Sequence, residues 1–321
     1  MSGSSLRSHR GVRCFVCAVM SLSLAAAALT ACQSSDPVPT AAPQPTTVDG
    51  TVPPATAEPT VGPTATPTPV LPKDLTICQA EEPNTLFIYG APSRAARNVL
   101  EALYDGPIDV LTYRLQPVLL EKLPALDDGD VRVRTVGVAE GDRVVDANGD
   151  VVALRPGVSV ANSDDQSVVF EGGAISMTQV IATFKLRPDL TWSDGAPLTA
   201  DDSLYSYEVA SQLEDLPMRL RLLHEQTQSY EAVDERTVVW TSVPGYRDTF
   251  YFQGFYLQNT YAQNFYHPLP RHLWGALDAQ QLLSATEVIQ KPVGWGAFVV
   301  EEWVQGQSIS LVPNPYYFRR T

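Results

Sequence analysis

Residues 184–208 constrain the fold of this chain more than any other stretch, because a strand, a tight turn and a capped helix must follow one another there. Ile181, Thr183 and Lys185 alternate with Ala182, Phe184 and Leu186, the period of a strand with one buried face. Trp192-Ser193-Asp194-Gly195 reads as a turn. Gly195 is free to take positive φ, and the Asp194 carboxylate can accept nearby backbone N–H groups. Thr199 stands at an N-cap position with Asp202 three residues on to complete a box-like cap. Asp201 and Asp202 also fall in the electropositive first turn of the helix that follows.

The residues Leu186, Arg187, Trp192, Asp194, Gly195, Pro197, Leu198, Thr199, Ala200 and Asp202 spell a strand ending in Leu-Arg, then Trp-x-Asp-Gly-x-Pro-Leu-Thr-Ala-x-Asp. This run resembles the signature of the family 5 solute-binding proteins of ABC importers, the oligopeptide, dipeptide and nickel binders. The resemblance implies an α/β fold with a mixed sheet and helices, here the first lobe of a type II periplasmic-binding-protein-like fold. It also implies that Trp192, Asp194, Gly195, Pro197, Thr199 and Asp202 build the turn and the cap and do not touch the ligand. Other stretches extend the likeness: Glu82-Pro83 with Leu86, the hairpin around Asp234 with Thr237-Val238, Pro270-Arg271-His272, and Asn314-Pro315-Tyr316-Tyr317-Phe318. Pro292 to Phe298 resembles the family's Gly-Thr-Gly-Pro-Tyr turn, with Trp295 and Ala297 as departures.

Ahead of this body lies a segment of different character. Arg7, Arg10 and Arg13 precede an apolar run from Cys14 to Ala28, and Leu29-Thr30-Ala31-Cys32 follows. A basic region, an apolar region and a small-residue cleavage site make up an export signal, assigned to residues 1–31. The last four residues resemble a bacterial lipobox, which implies cleavage before Cys32 and lipidation of its thiol. Residues 33–72 hold eleven prolines and few residues able to form a core, so residues 32–72 read as a lipidated cysteine and a Pro/Thr-rich disordered linker. The body, residues 73–321, is then placed on the outer face of the cytoplasmic membrane, tethered by lipid.

Within the body, Leu75-Thr76-Ile77-Cys78 reads as a strand, which would make Cys78 a buried small hydrophobe. Ser93 is placed to cap a helix with Ala96, Val99, Leu100 and Leu103 on one stripe, closing near Tyr104. Residues 127–178 read as an insertion of hairpins, with Asn148-Gly149 between Val144-Val145 and Val151-Val152 as the strongest turn signal. Asp146, Asn148 and Asp150 imitate the start of a calcium loop, but Val151 stands where that loop needs Gly and Gly157 where it needs Glu. His224-Glu225 begins like a zinc-protease motif whose second His is missing. His267 and His272 read as packing residues before metal ligands. Seven aromatic residues between Phe250 and Phe265, among Gln and Asn, suit either a core or an amphipathic cleft wall.

Charge decides what the partners are not. The formal net charge is −14, and it becomes −17 once the three arginines of the leader are removed. Binding to nucleic acid needs clustered cations, so that class of partner is excluded. No Gly-x-Ser-x-Gly and no complete His-Glu-x-x-His occurs, so no enzymatic activity is expected. A secreted lipoprotein hydrolase remains an alternative, as does a surface interaction module without transport. The expectation is a binding component that captures a peptide or similar small solute by two-lobe closure and delivers it to permease and ATPase subunits, without cofactor or metal. Tyr104, Phe255, Tyr256 and Trp295 are the residues expected at the ligand, and in a single lobe they are expected to stand exposed. Since the likeness runs from about Leu75 to Phe318 and covers the first part of a family member, the chain reads as a fragment or a truncated gene product.

Overall fold

The computed structural model of the chain describes residues 74–111, 114–246 and 264–319. In chain order the elements are α1 (Arg94–Leu103), β1 (Ile108–Leu111), β2 (Arg114–Pro117), β3 (Val131–Ala139), β4 (Arg143–Val145), β5 (Val151–Ala153), β6 (Ser159–Ala161), β7 (Ser167–Val169) and β8 (Ala174–Lys185). Then follow α2 (Ala200–Ala210), α3 (Met218–Gln226), β9 (Thr227–Asp234), β10 (Thr237–Ser242), α4 (Arg271–Trp274), α5 (Ala279–Leu282), α6 (Thr286–Ile289), β11 (Phe298–Val304) and β12 (Ser308–Pro313). The result is the mixed α/β architecture expected from the sequence. Among the described residues, no helix is long and apolar enough to cross a membrane.

A four-stranded antiparallel sheet, ordered β3-β8-β10-β9, carries the body. The alternation read at the end of β8 is realised: Ala182, Phe184 and Leu186 are buried completely, while Lys185 is exposed. Across the ladder Phe184 lies opposite Val238 and Ala182 opposite Trp240. These residues join α1, α2 and the segment 265–300 in one large core. α1 forms as its spacing requires: Ser93 Oγ accepts the Ala96 N–H at 3.2 Å, Val99, Leu100 and Leu103 turn inwards, and Tyr104 closes the helix.

The hairpins between β3 and β8 carry a core of their own. Val138, Val144, Leu154, Val160, Phe170 and Met177 form a second, smaller cluster. Arg143 to Val145 pairs with Val151 to Ala153 around the Asn148-Gly149 turn. There Asp146 Oδ1 accepts the N–H groups of Asn148 at 2.8 Å and Asp150 at 3.0 Å, so this carboxylate organises a turn.

Two expectations are corrected. Residues 75–78 form no strand: no described backbone pairs with them, and an isolated strand has no ladder to hold it. Leu75 and Ile77 accordingly stand 84% and 74% exposed, and Cys78 is an exposed free thiol. Most of the aromatic stretch, including Phe250, Tyr251, Phe252, Phe255, Tyr256 and Tyr261, lies outside the described residues. Its last member, Phe265, is core and packs against Phe184 with ring centroids 5.4 Å apart.

Candidate functional site

The turn after β8 is a closed hydrogen-bonded unit. Trp192 N–H donates to the Ala196 carbonyl at 2.8 Å, and Gly195 N–H donates back to Trp192 at 2.9 Å. Asp194 Oδ1 accepts the Ala196 N–H at 3.0 Å. Gly195 has φ +90°, and a Cβ built on it would lie 2.9 Å from the Tyr316 ring, so both conformation and space require glycine. Pro197 bridges back to Thr191. Thr191 Oγ1 donates to the Tyr316 carbonyl at 3.1 Å, and Ser193 N–H donates to the Gly294 carbonyl at 2.8 Å. The turn thereby docks onto two other stretches that resemble the same family, 125 and 101 positions further along.

Asp202 does more than the sequence suggested. Thr199 N–H donates to its Oδ2 at 2.9 Å, which is the reach-back half of the expected cap. The same oxygen accepts the Trp192 indole N–H at 3.1 Å, and Oδ1 accepts the Arg271 N–H at 3.0 Å. Its side chain is buried at 4% exposure, so burial pushes the carboxyl up while these three donors hold it down, the first prevailing. Nothing in helical spacing signals the bond to Arg271, 69 positions away.

His272 Nε2 lies 2.8 Å from Asp194 Oδ2, and the pair is half-exposed. Burial tends to raise the Asp194 carboxyl, but the bonds from His272 and the Ala196 N–H outweigh it and hold it below its ordinary value. Beside this pair is a surface hollow of about 380 Å³ lined by Pro197, Asp201, Asp202, Arg271 and His272, among others. His267 sits apart, half-buried, and its imidazole is driven down to about 4 by burial and by the Arg219 charge. The two histidines share no ligand position, and among the described residues no group of three or more His, Cys, Asp or Glu side chains could hold a metal ion.

Tyr104 and Trp295 are brought together, but inside. Trp295 is fully buried between Tyr104, with centroids 4.8 Å apart, and Trp192, at 5.4 Å, both edge-on. Its indole N–H donates to the Asp105 carbonyl at 2.8 Å, and Tyr104 donates to the Val293 carbonyl at 3.3 Å. Gly296 lets the chain close on α1: its N–H reaches the Leu103 carbonyl at 2.7 Å, where a Cβ would lie 2.5 Å from backbone carbon. The expected exposure of Tyr104 and Trp295 is therefore corrected, because both rings complete the core between α1 and the signature turn. Phe255 and Tyr256 lie outside the described residues.

Sequence reasoning also missed an anchor at the other end. Glu82 Oε1 accepts the Trp303 indole N–H at 2.8 Å and the Gly306 N–H at 2.9 Å, tying the loop before α1 to the β11–β12 turn. The Gly306 bond, then that of Trp303, holds this carboxyl below its ordinary value.

Residues 171–321 match the model of the bacterial extracellular solute-binding proteins, family 5. The oligopeptide-binding protein AppA of Bacillus subtilis is 29% identical over 134 residues, covering 42% of this chain and 23% of AppA. A binding protein of Brucella melitensis is 28% identical over 152 residues, covering 47% of this chain and 22% of that protein. The match thus spans less than a quarter of the length of these curated relatives. Among solved structures, AppA of Bacillus subtilis in complex with a nonapeptide aligns over 74% of this chain and 35% of its own, with TM-score 0.47 and 20% identity. The signature turn, the cap on Asp202 and the docked Asn314-Pro315-Tyr316 element all fall within the matched residues, so it is over residues 171–321 that this chain is similar to the bacterial extracellular solute-binding proteins, family 5.

Proposed function

We propose that this chain is the first lobe of the solute-capturing component of an ABC importer, with an oligopeptide or similar small molecule as solute. The observation that carries this reading is the signature turn of a binding-protein family, locked by Asp202, inside residues 171–321. In support, the Bacillus subtilis relative is an oligopeptide-binding protein. Capture works by closure of two lobes around the solute, which removes it from water on both sides. Permease and ATPase subunits then receive it, and no covalent chemistry is involved. Residues 1–31 are the export signal, Cys32 carries the lipid, and residues 32–72 space the body from the outer face of the cytoplasmic membrane. Phe255 and Tyr256 are assigned to the solute. The buried Tyr104–Trp295 pair is assigned the task of fixing α1 against the signature turn.

Two measurements test this. Calorimetry with a mixed peptide pool should show weak or no binding by this chain and tight binding by a polypeptide extended through a second lobe. Equal, tight binding by both would overturn the two-lobe reading. Labelling cells with a radioactive fatty acid should mark the wild type and leave Cys32→Ala unlabelled and unprocessed. Persistent label on the variant would remove Cys32 from the proposal.

A further inference from the structure

The outer edge of β3 is open over a short window. All nine residues of β3 pair with β8 on one side, and among the described residues nothing pairs on the other. The hydrogen bonds at its two ends show which groups face outwards. Val131 N–H donates to the Ala125 carbonyl at 2.9 Å. At the far end Ala139 N–H donates to Asp142 Oδ2 at 2.8 Å, and the Ala139 carbonyl accepts the Asp142 N–H at 3.1 Å. In an antiparallel ladder alternate residues face the same edge. Val133, Thr135 and Gly137 therefore turn N–H and C=O outwards between two ends that are already closed.

The side chains at this window are bare and of one charge. Arg132, Val133, Arg134 and Thr135 are exposed in succession, Val133 at 51%, so neither face of the strand is covered there. Arg132 and Arg134 share one face. Their Nε atoms donate to the Gly129 carbonyl and to Gln179 Oε1, and among the described residues no carboxylate forms an ion pair with either. In a chain with 36 acidic against 22 basic residues, two neighbouring guanidiniums without an ion pair among the described residues form a local positive site on this strand edge.

We propose that this edge is a docking site for an extended acidic segment of a partner polypeptide, added to the sheet as a fifth strand. Main-chain bonds to Val133, Thr135 and Gly137 would hold the segment, and alternation would choose it: acidic residues towards Arg132 and Arg134, apolar residues towards Val133. A second copy of this chain is the poorer occupant. Two β3 strands laid antiparallel over the same window place one Arg134 diagonally from the other and gather four guanidiniums on one face.

The test uses the full chain and two labelled peptides, about six residues long, of alternating glutamate and valine or alternating lysine and valine, followed by fluorescence anisotropy. The glutamate peptide should bind about tenfold or more tightly than the lysine peptide, and the preference should shrink as salt is raised. Arg132→Glu/Arg134→Glu should reverse the preference. Thr135→Pro removes an outward N–H, a position where proline is tolerated on an edge strand, and should abolish binding. Equal binding of both peptides to the wild type, or an unchanged preference in the charge-reversed variant, would overturn the proposal. So would a dimer in sedimentation that Thr135→Pro dissolves, since the occupant would then be a second copy. If Thr135→Pro does not fold, the charge reversal alone decides. Binding of both peptides that survives both variants belongs to the solute site and counts against the edge.

Discussion

The Trp192 indole N–H and the Asp202 carboxylate, ten positions apart across a turn and a helix start, are joined by a 3.1 Å hydrogen bond in the interior. The same carboxylate takes two backbone N–H groups, so the turn, the helix and the segment entering α4 meet at one side chain. Asp202→Ala should leave the buried Trp192 indole N–H and two part-buried backbone N–H groups without their acceptor and lower stability by about 2 kcal/mol. Asp202→Asn, which keeps one acceptor oxygen, should lose less. Urea denaturation followed by tryptophan fluorescence measures both, and a loss below about 1 kcal/mol for the alanine variant would mean that water replaces the carboxylate.

Gly195→Ala should destabilise for two separable reasons. One is its positive φ, and the other is the Tyr316 ring 2.9 Å from the new Cβ. We expect a loss of about 2 kcal/mol, with the steric part relieved by Tyr316→Ala and the backbone part retained. A double-mutant cycle showing no coupling between the two sites would remove the steric contribution.

The His267 imidazole titrates near 4 in the folded chain, below its ordinary value of 6.5. The unfolded chain therefore takes up the proton first, and stability should fall as pH drops from about 6.5 towards 4, by on the order of 1–3 kcal/mol. Above 6.5 the contribution is constant. His267→Gln should flatten this part of the profile, read as the difference between the two proteins in denaturant midpoint at several pH values. Parallel profiles would show that His267 is solvated.

Tyr317 donates to Asp105 Oδ2 at 2.5 Å, and burial together with the nearby carboxylate pushes its phenol up to about 12. Tyr317→Phe should delete a late-titrating component from the ultraviolet titration of the tyrosines and lower stability by about 1 kcal/mol. A titration curve that keeps this component would place Tyr317 in water.

What could be read from the sequence was local. The period of β8, the Ser93 cap, the Asn148-Gly149 turn and the turn around Gly195 each depend on residues a few positions apart, and each is present in the structure. The strand expected at Leu75 is absent because alternation states a preference and pairing needs a neighbour. The inward position of Trp295 was illegible for a similar reason. Its neighbours Tyr104 and Trp192 lie far off in the chain, and an aromatic residue suits a core and a cleft wall equally well. Asp202 was read as a cap because spacing shows its first partner, while Trp192 and Arg271 are known only once the chain is folded.

The separate cluster under the β4–β5 and β6–β7 hairpins has a consequence for how this chain can vary. Gly149 lies at the tip of the β4–β5 hairpin, where an added Cβ would meet nothing within 4 Å. Residues gained or lost at that tip extend into solvent and leave Val144, Leu154 and Val160 in place, and the signature turn draws on a different core altogether. Descendants of this sequence can therefore differ most in length between β3 and β8, and a peptide tag grafted at Gly149 should travel with the body without altering its melting.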